Sequence, residues 1–311
     1  MKKFLAILIS LLIFLTFTAC AETQENLSSD NSSDITESKP TPVLIESVKY
    51  VDKNGNEYSE VYSDYSGIPT AQSGDRLITA DYEYLLTNKG WNVSVLDKTK
   101  TEYEAILTEI YGKKVTSLNE TYANCDKMTV SPEISKTITE MTNTYVLCRS
   151  MKNAPKVPGN VKSMKGAFQQ CFGLTSIPEI EDGVEDITLA FNYCTHILAV
   201  ENLPDSIVIM KGAFQSCYNL GKVTDLPKNV QNMANAFNTC PKLKTFIAII
   251  PKSVTNMTST FRSCEMLNGN ITVNATPEAY KSCFYMCGNV KIVGDSQNKA
   301  DLAATGSNIT F

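Results

Sequence analysis

The sequence predicts a solenoid, in which short strands and tight turns wind into coils of 23 residues behind a small α+β region that closes the first coil. Three observations carry this reading. Eight cysteines fall at 125, 148, 171, 194, 217, 240, 264 and 287, in steps of 23 residues with a single step of 24. An aromatic residue stands three places before each: Tyr122, Tyr145, Phe168, Phe191, Phe214, Phe237, Phe261 and Phe284, in a chain that is 9% aromatic. Six letters, MKGAFQ, recur at 164–169 and 210–215. A fixed period in the twenties marks units that have too little apolar surface to fold alone and bury one continuous core when stacked.

The rest of the unit follows the same register. Three places after each Cys stand Met128, Met151, Leu174, Ile197, Leu220, Leu243, Leu267 and Val290. Seven places before stand Leu118, Met141, Met164, Ile187, Met210, Met233, Met257 and Tyr280. The unit reads V-x-x-M-x-x-A-F-x-x-C-x-x-L-x-x-V/I, often followed by Pro. Apolar positions every three residues, interrupted by Pro, do not suit an unbroken helix. At a strand spacing of about 4.7–4.9 Å per coil, eight coils make a rod on the order of 40 Å long.

The stretches AFQQCFGLTSIP (167–178), AFNTCPKL (236–243) and SVTNMTSTFRSC (253–264) resemble the leucine-rich repeats of BspA-like bacterial surface proteins. The resemblance covers about residues 113–293. It implies a leucine-rich-repeat solenoid, mostly β, with parallel strands and right-handed coils. It also implies display on a bacterial cell surface and binding to a protein or glycan of a host or a neighbouring cell.

The chain opens MKKFLAILISLLIFLTFTAC. Lys2 and Lys3 precede an apolar run, Phe4 to Phe17, too short to span a bilayer, and Thr18 and Ala19 precede Cys20. Residues 1–19 therefore read as a signal peptide. The ending Phe-Thr-Ala-Cys resembles a lipoprotein box, with Phe17 where Leu is usual. The resemblance implies that Cys20 becomes acylated and that the protein is membrane-anchored outside the cytoplasm. The alternative is plain secretion without the lipid. Residues 20–42 are rich in Ser, Asp, Asn and Glu, too polar to fold, and read as a disordered tether. Residues 43–112 form the cap. Apolar runs flank Asn54-Gly55, a hairpin signal. Trp91, Val93 and Val95 alternate as in a half-buried strand. Residues 101–112 predict a helix, opened by Thr101 and Glu104 as a capping box, carrying Tyr103, Ile106, Leu107 and Ile110 on one face, and ended by Gly112. The solenoid fills 113–293 with about eight coils. Residues 294–311 close its far end.

The eight cysteines of the ladder (Cys125, Cys148, Cys171, Cys194, Cys217, Cys240, Cys264 and Cys287) admit three readings. The favoured one is a row of small, buried side chains, one per coil. Disulfides between neighbouring coils are the second, since the coil spacing lies inside the usual Cα–Cα window. Metal binding is the third, and it lacks both a C-x₂-C pair and a nearby His. Cys283 is out of step and occupies a slot held elsewhere by Ala or Thr.

Composition narrows the function. The 311 residues carry a net charge of −5 with no Lys/Arg run, which argues against nucleic acid. The single His, His196, falls in a slot that Lys127, Ser150, Gly173 and Met266 fill in other coils, so it reads as solvent-facing. Glu179, Glu181 and Asp182 read as a solvated turn, and DKNGNEYSE (52–60) as a plain turn without EF-hand spacing. No cofactor motif, catalytic pair or metal site stands out. The recurring positions serve the core, so function falls to the outward ones. Leu198, Val208 and Ile209, apolar where neighbours are polar, are candidates for a binding patch, with Lys222 and Lys244 beside them. The expectation is a non-catalytic, adhesin-like surface protein. The alternative is a structural or coat protein without a dedicated ligand. A surface hydrolase would need a catalytic pair that the sequence does not offer.

Overall fold

The computed structural model describes residue 45, residues 48–62 and residues 64–311. The signal peptide, Cys20 and the tether lie outside the described residues.

The chain enters through seven short strands: β1 (Lys49–Val51), β2 (Glu57–Tyr58), β3 (Arg76–Ile78), β4 (Tyr82–Thr87), β5 (Gly90–Val95), β6 (Glu109–Ile110) and β7 (Lys113–Ser117). They form one sheet in the order β2-β1-β3-β4-β5-β7-β6. The expected hairpin is β1–β2, paired antiparallel. Its turn is held by Asp52, whose carboxylate accepts the N–H groups of Asn54 and Asn56. β5 shows the expected alternation, with Trp91, Val93 and Val95 buried. Trp91 donates its indole N–H to the Ile110 carbonyl at 3.0 Å. At Gly90 (φ 134°) a Cβ would lie 2.7 Å from the Lys114 carbonyl, so only Gly lets β5 and β7 meet here. β5 pairs with β7 in parallel, although every other pairing in this sheet is antiparallel. The cap thus turns into the solenoid within one sheet.

The helix expected over 101–112 does not form. Residues 102–107 carry no regular structure, and β6 and a turn follow. The backbone of this segment is claimed by partners outside it. The Glu104 N–H donates to Asp81, its carbonyl accepts from Tyr82 Oη, and the Leu107 N–H donates to Tyr84 Oη. Asp81, almost fully buried, also binds the Lys100 ammonium. A helix this short is marginal in isolation, and these tertiary bonds outweigh its capping signals.

From β7 onward the coils stack in parallel. Isolated bridges link Ser117, Glu140, Ser163, Asp186, Ile209, Asn232, Asn256 and Ala279 in succession, each eight places before its Cys. A second ladder follows the cysteines: β8 (Ala199–Val200), β9 (Lys222–Val223) and β10 (Thr245–Phe246) pair in parallel. The 24-residue step coincides with a break in this ladder. Beyond it, β11 (Ile249–Ile250) pairs with β12 (Gly269–Val273), then β13 (Val290–Val293) and β14 (Ile309–Thr310). With parallel pairings beyond the eight repeats at both ends, the solenoid has about ten turns.

Between the two ladders, the segment from the Met position to Cys is neither helix nor strand. Its N–H groups alternate in destination. In one coil those of Met210, Gly212, Phe214 and Ser216 reach the next coil at 2.8–3.0 Å, while those of Ala213, Gln215 and Cys217 bond three residues back. These N–H groups therefore find partners without regular structure. This geometry needs a left-handed residue five places before each Cys and another one place before it. All sixteen have φ between 53° and 66°, yet only Gly166 and Gly212 among them are glycine. A non-Gly residue there costs about 1–2 kcal/mol, least for Asn. Met286 (φ 57°) is half exposed and loses little packing if replaced. Met286→Asn, which copies Asn124 of the first coil, is expected to raise stability by about 0.5–1 kcal/mol. Urea denaturation checks this.

The core is one continuous column. The eight rings from Tyr122 to Phe284 stack with centroids 5.1–5.8 Å apart and planes within 11° of parallel. At the first coil Tyr82 and Tyr103 meet Tyr122 edge-on, and the Tyr82 and Tyr122 hydroxyls are 2.9 Å apart. At the last coil, the short helix α1 (Lys299–Ala303) buries Leu302 and Ala303, and Thr305 Oγ1 accepts the Phe284 N–H.

Candidate functional site

The interior accounts for the cysteines. All nine from Cys125 to Cys287 are buried, unpaired thiols. Seven of them, Cys148 through Cys287 in the ladder, donate Sγ–H to the carbonyl of the aromatic residue in the preceding coil, at 2.8–3.3 Å. Cys125, at the head of the ladder, instead accepts from Tyr103 Oη at 3.3 Å. Each of these seven thiols therefore keys its coil to the previous one, which a purely apolar side chain of the same size would not do. Burial pushes all nine thiols up, Cys194 and Cys287 to about 12. They are poor nucleophiles in the folded protein.

The other titratable groups singled out by sequence are at the surface. His196 is exposed, with Nδ1 against the Phe172 carbonyl. Glu179 and Glu181 both bind the Lys156 ammonium, at 2.7 and 3.0 Å. The Gly159 N–H and Lys156 hold the Glu181 carboxyl below the usual carboxylate range. Two carboxylates shared by one lysine in an ion pair are not a general acid facing a base.

The outward candidates separate into two groups. Leu198 is 61% exposed and lies on the ladder after Cys, where its carbonyl accepts the Gly221 N–H. Val208 and Ile209 lie on the other ladder, bonded to Glu185 and Gln231. Val208 is half-buried and Ile209 only partly exposed. The three do not share a strand face. Lys222 and Lys244 are exposed and close together, since Lys222 pairs with Thr245 and the Lys244 N–H bonds Gly221.

Sequence reasoning missed a second set of exposed groups. Tyr193, 40% exposed, immediately precedes Cys194; Tyr218, 39% exposed, immediately follows Cys217. Their rings meet edge-on, 6.2 Å apart at 88°. These slots hold a different residue in nearly every coil, so no periodic signal marks them. Ile247 and Ile249 are also exposed, alternating with buried Phe246, Ala248 and Ile250 where the sheet breaks. That alternation was readable in the sequence. Phe246 points inward and meets Phe237 and Phe261 edge-on.

Residues 107–198 and 190–300 match the BspA type leucine rich repeat region, in six copies, over more than half of the chain. The fold is similar to the crystal structure of a leucine-rich repeat protein of T. pallidum (TM-score 0.51, 16% identity, 74% of this chain and 97% of that one). A leucine-rich repeat protein of Bacteroides ovatus (TM-score 0.41, 16% identity, 73% and 80%) is also similar. So is a leucine rich cell surface protein of Faecalibacterium prausnitzii (TM-score 0.34, 16% identity, 79% and 95%). At this identity such likeness concerns fold alone. No curated protein matches the chain.

Proposed function

Because this chain belongs to the BspA-type leucine-rich repeat family, we propose that it is a lipid-anchored protein of the bacterial cell surface. In this reading it binds a protein or glycan of a host or neighbouring cell and catalyses nothing. One observation carries the binding role. The recurring Val, Met, Ala, aromatic, Cys and Leu positions of the unit are buried in every coil, Tyr280 in the last coil excepted, while the outward positions change from coil to coil. A stiff rod whose exposed rows vary freely presents a pre-organised surface with little ordering cost on association.

The anchor rests on the first twenty residues. Several acyl chains on Cys20 hold a protein stably at a bilayer, whereas one chain binds only marginally. In a bacterial host given a labelled fatty acid, the full chain is expected to take up label and sediment with membranes. Cys20→Ala is expected to lose the label and appear in the soluble fraction. Equal membrane recovery of both, without label, would overturn the anchor.

The binding role is tested with the full chain on a panel of matrix proteins, cell-surface proteins and glycans. Leu198→Ser and the pair Val208→Ser/Ile209→Ser are assayed separately, because the two sites lie on different ladders. Saturable binding is expected. A folded chain that binds nothing on the panel would favour a coat or spacer role.

A further inference from the structure

The charges on this solenoid are segregated. In five consecutive coils, residues 142–153, 165–176, 188–199, 211–222 and 234–245 contain no Asp or Glu. The chain has 33 acids in 311 residues, a share that would put about six in these sixty positions, which instead carry seven Lys or Arg. The five stretches lie side by side, because each runs from the turn segment before Cys through the ladder after it. The acids of these coils, such as Glu181, Glu185, Asp205 and Asp225, fall on the remaining part of the turn. The nearest acids along the chain are Glu140 and Asp186, on the ladder before the Met position, and Glu201 and Asp225, past buried Val200 and Val223; Asp225 is engaged with the Asn202 N–H. Lys222, Lys242 and Lys244 form no ion pair among the described residues. Lys242 Nζ instead donates to Asn219 Oδ1 at 2.7 Å. A cationic, acid-free face on a chain of net charge −5 selects an anionic partner.

The same face carries Tyr193 and Tyr218 and, in four successive coils, a row of amides, of which Gln169, Gln215 and Asn238 are partly exposed and Asn192 is buried between them. Gln169 Nε2 bonds Asn192 Oδ1 at 3.1 Å, and Asn192 Nδ2 bonds the Gln215 carbonyl at 3.2 Å. Equivalent positions recur at the coil step, which the ring column sets at 5.1–5.7 Å across these coils. A sugar unit in an extended polysaccharide advances by a similar distance. We propose that this face binds an acidic polysaccharide lying along the solenoid axis. The lysines meet its carboxylates or sulfates, the tyrosine rings meet the C–H faces of its sugars, and the amides meet its hydroxyls. This rests on the binding role above and gives that role a ligand class and a face.

The test is retention and affinity of the full chain on immobilised heparin (sulfated) and hyaluronan (carboxylated only), with neutral dextran and single-stranded DNA as comparison polymers. Three variants are compared with the unchanged chain after circular dichroism shows that they are folded. Binding to one or both acidic polymers, weakening with salt, is expected, and which polymer binds identifies the acid group. K222A/K242A/K244A is expected to bind about a hundredfold more weakly. Y193A/Y218A is expected to bind about tenfold more weakly with an unchanged salt dependence, because it removes stacking and no charge. Lys162→Ala, on the opposite ladder, is expected to bind like the unchanged chain. Equal binding to dextran or DNA, or full binding by the triple variant, would overturn the proposal. Binding only to a protein or a neutral glycan would also sink it while leaving the broader role standing. No binding to any partner would sink both.

Discussion

Raising the pH above about 9 is expected to unfold the solenoid in one steep step. Nine thiols are neutral and buried, with burial the first cause of their raised pKa. In the unfolded chain a thiol ionises near pH 8.5. A folded pKa raised above the unfolded one contributes stability that is whole below the unfolded value and is lost as pH rises toward the folded value. The window therefore opens near pH 8.5–9 and runs to about 12, where Cys194 and Cys287 ionise within the fold. Inside it each thiol that stays neutral in the fold costs about 1.4 kcal/mol per pH unit, so the eight from Cys148 to Cys287 cost about 11 kcal/mol per unit. That rivals the whole stability of a typical domain, about 5–15 kcal/mol. The buried tyrosines, such as Tyr122 and Tyr145, are pushed up as well and add to the loss above pH 10. Circular dichroism and the fluorescence of buried Trp91, followed against pH under reducing conditions, are expected to change together between about pH 9 and 10.5. A spectrum unchanged to pH 12 would contradict the buried thiol ladder.

Phe214→Ala is expected to cost about 3–5 kcal/mol and to divide the array. Phe214 is fully buried and stacks on Phe191 at 5.3 Å and on Phe237 at 5.7 Å, so its loss opens a cavity and breaks two aromatic contacts. Each such contact is worth about 0.5–1.5 kcal/mol beyond its buried area. In a stacked array each coil is stabilised mainly by its neighbours, so a break in the middle lowers the coupling between the two halves. Trp91 reports on the amino-terminal side, and circular dichroism reports on the whole chain. The two urea transitions are expected to coincide in the unchanged protein and to separate in the variant. A loss below about 1 kcal/mol, with coincident transitions, would show that the ring column does not couple the coils.

Sequence and tertiary structure divided the decisions along a physical line. The sequence by itself determined the period and which side chains form the core. Burial is an obligation renewed every 23 residues, so the aromatic, Cys and Met positions recur and are visible. It also determined the β1–β2 hairpin and the alternation of Trp91, Val93 and Val95, which depend on neighbours in the chain. Tertiary structure alone decided the rest. Residues 101–112 carry local helix signals, but Asp81, Tyr82 and Tyr84 take their backbone groups, and these partners lie about 23 residues away. The left-handed residues before each Cys are imposed by bonds to the next coil, so Leu147, Tyr193 and Thr239 adopt a conformation that their own chemistry disfavours. The thiol bond to a carbonyl about 26 residues earlier explains why the slot holds Cys, and no local pattern shows it. Tyr193, Tyr218 and Lys242 come from non-recurring slots in different coils. They become one surface only when the coils stack, because adjacency across a solenoid is set by hydrogen bonding between turns and not by nearness in the chain.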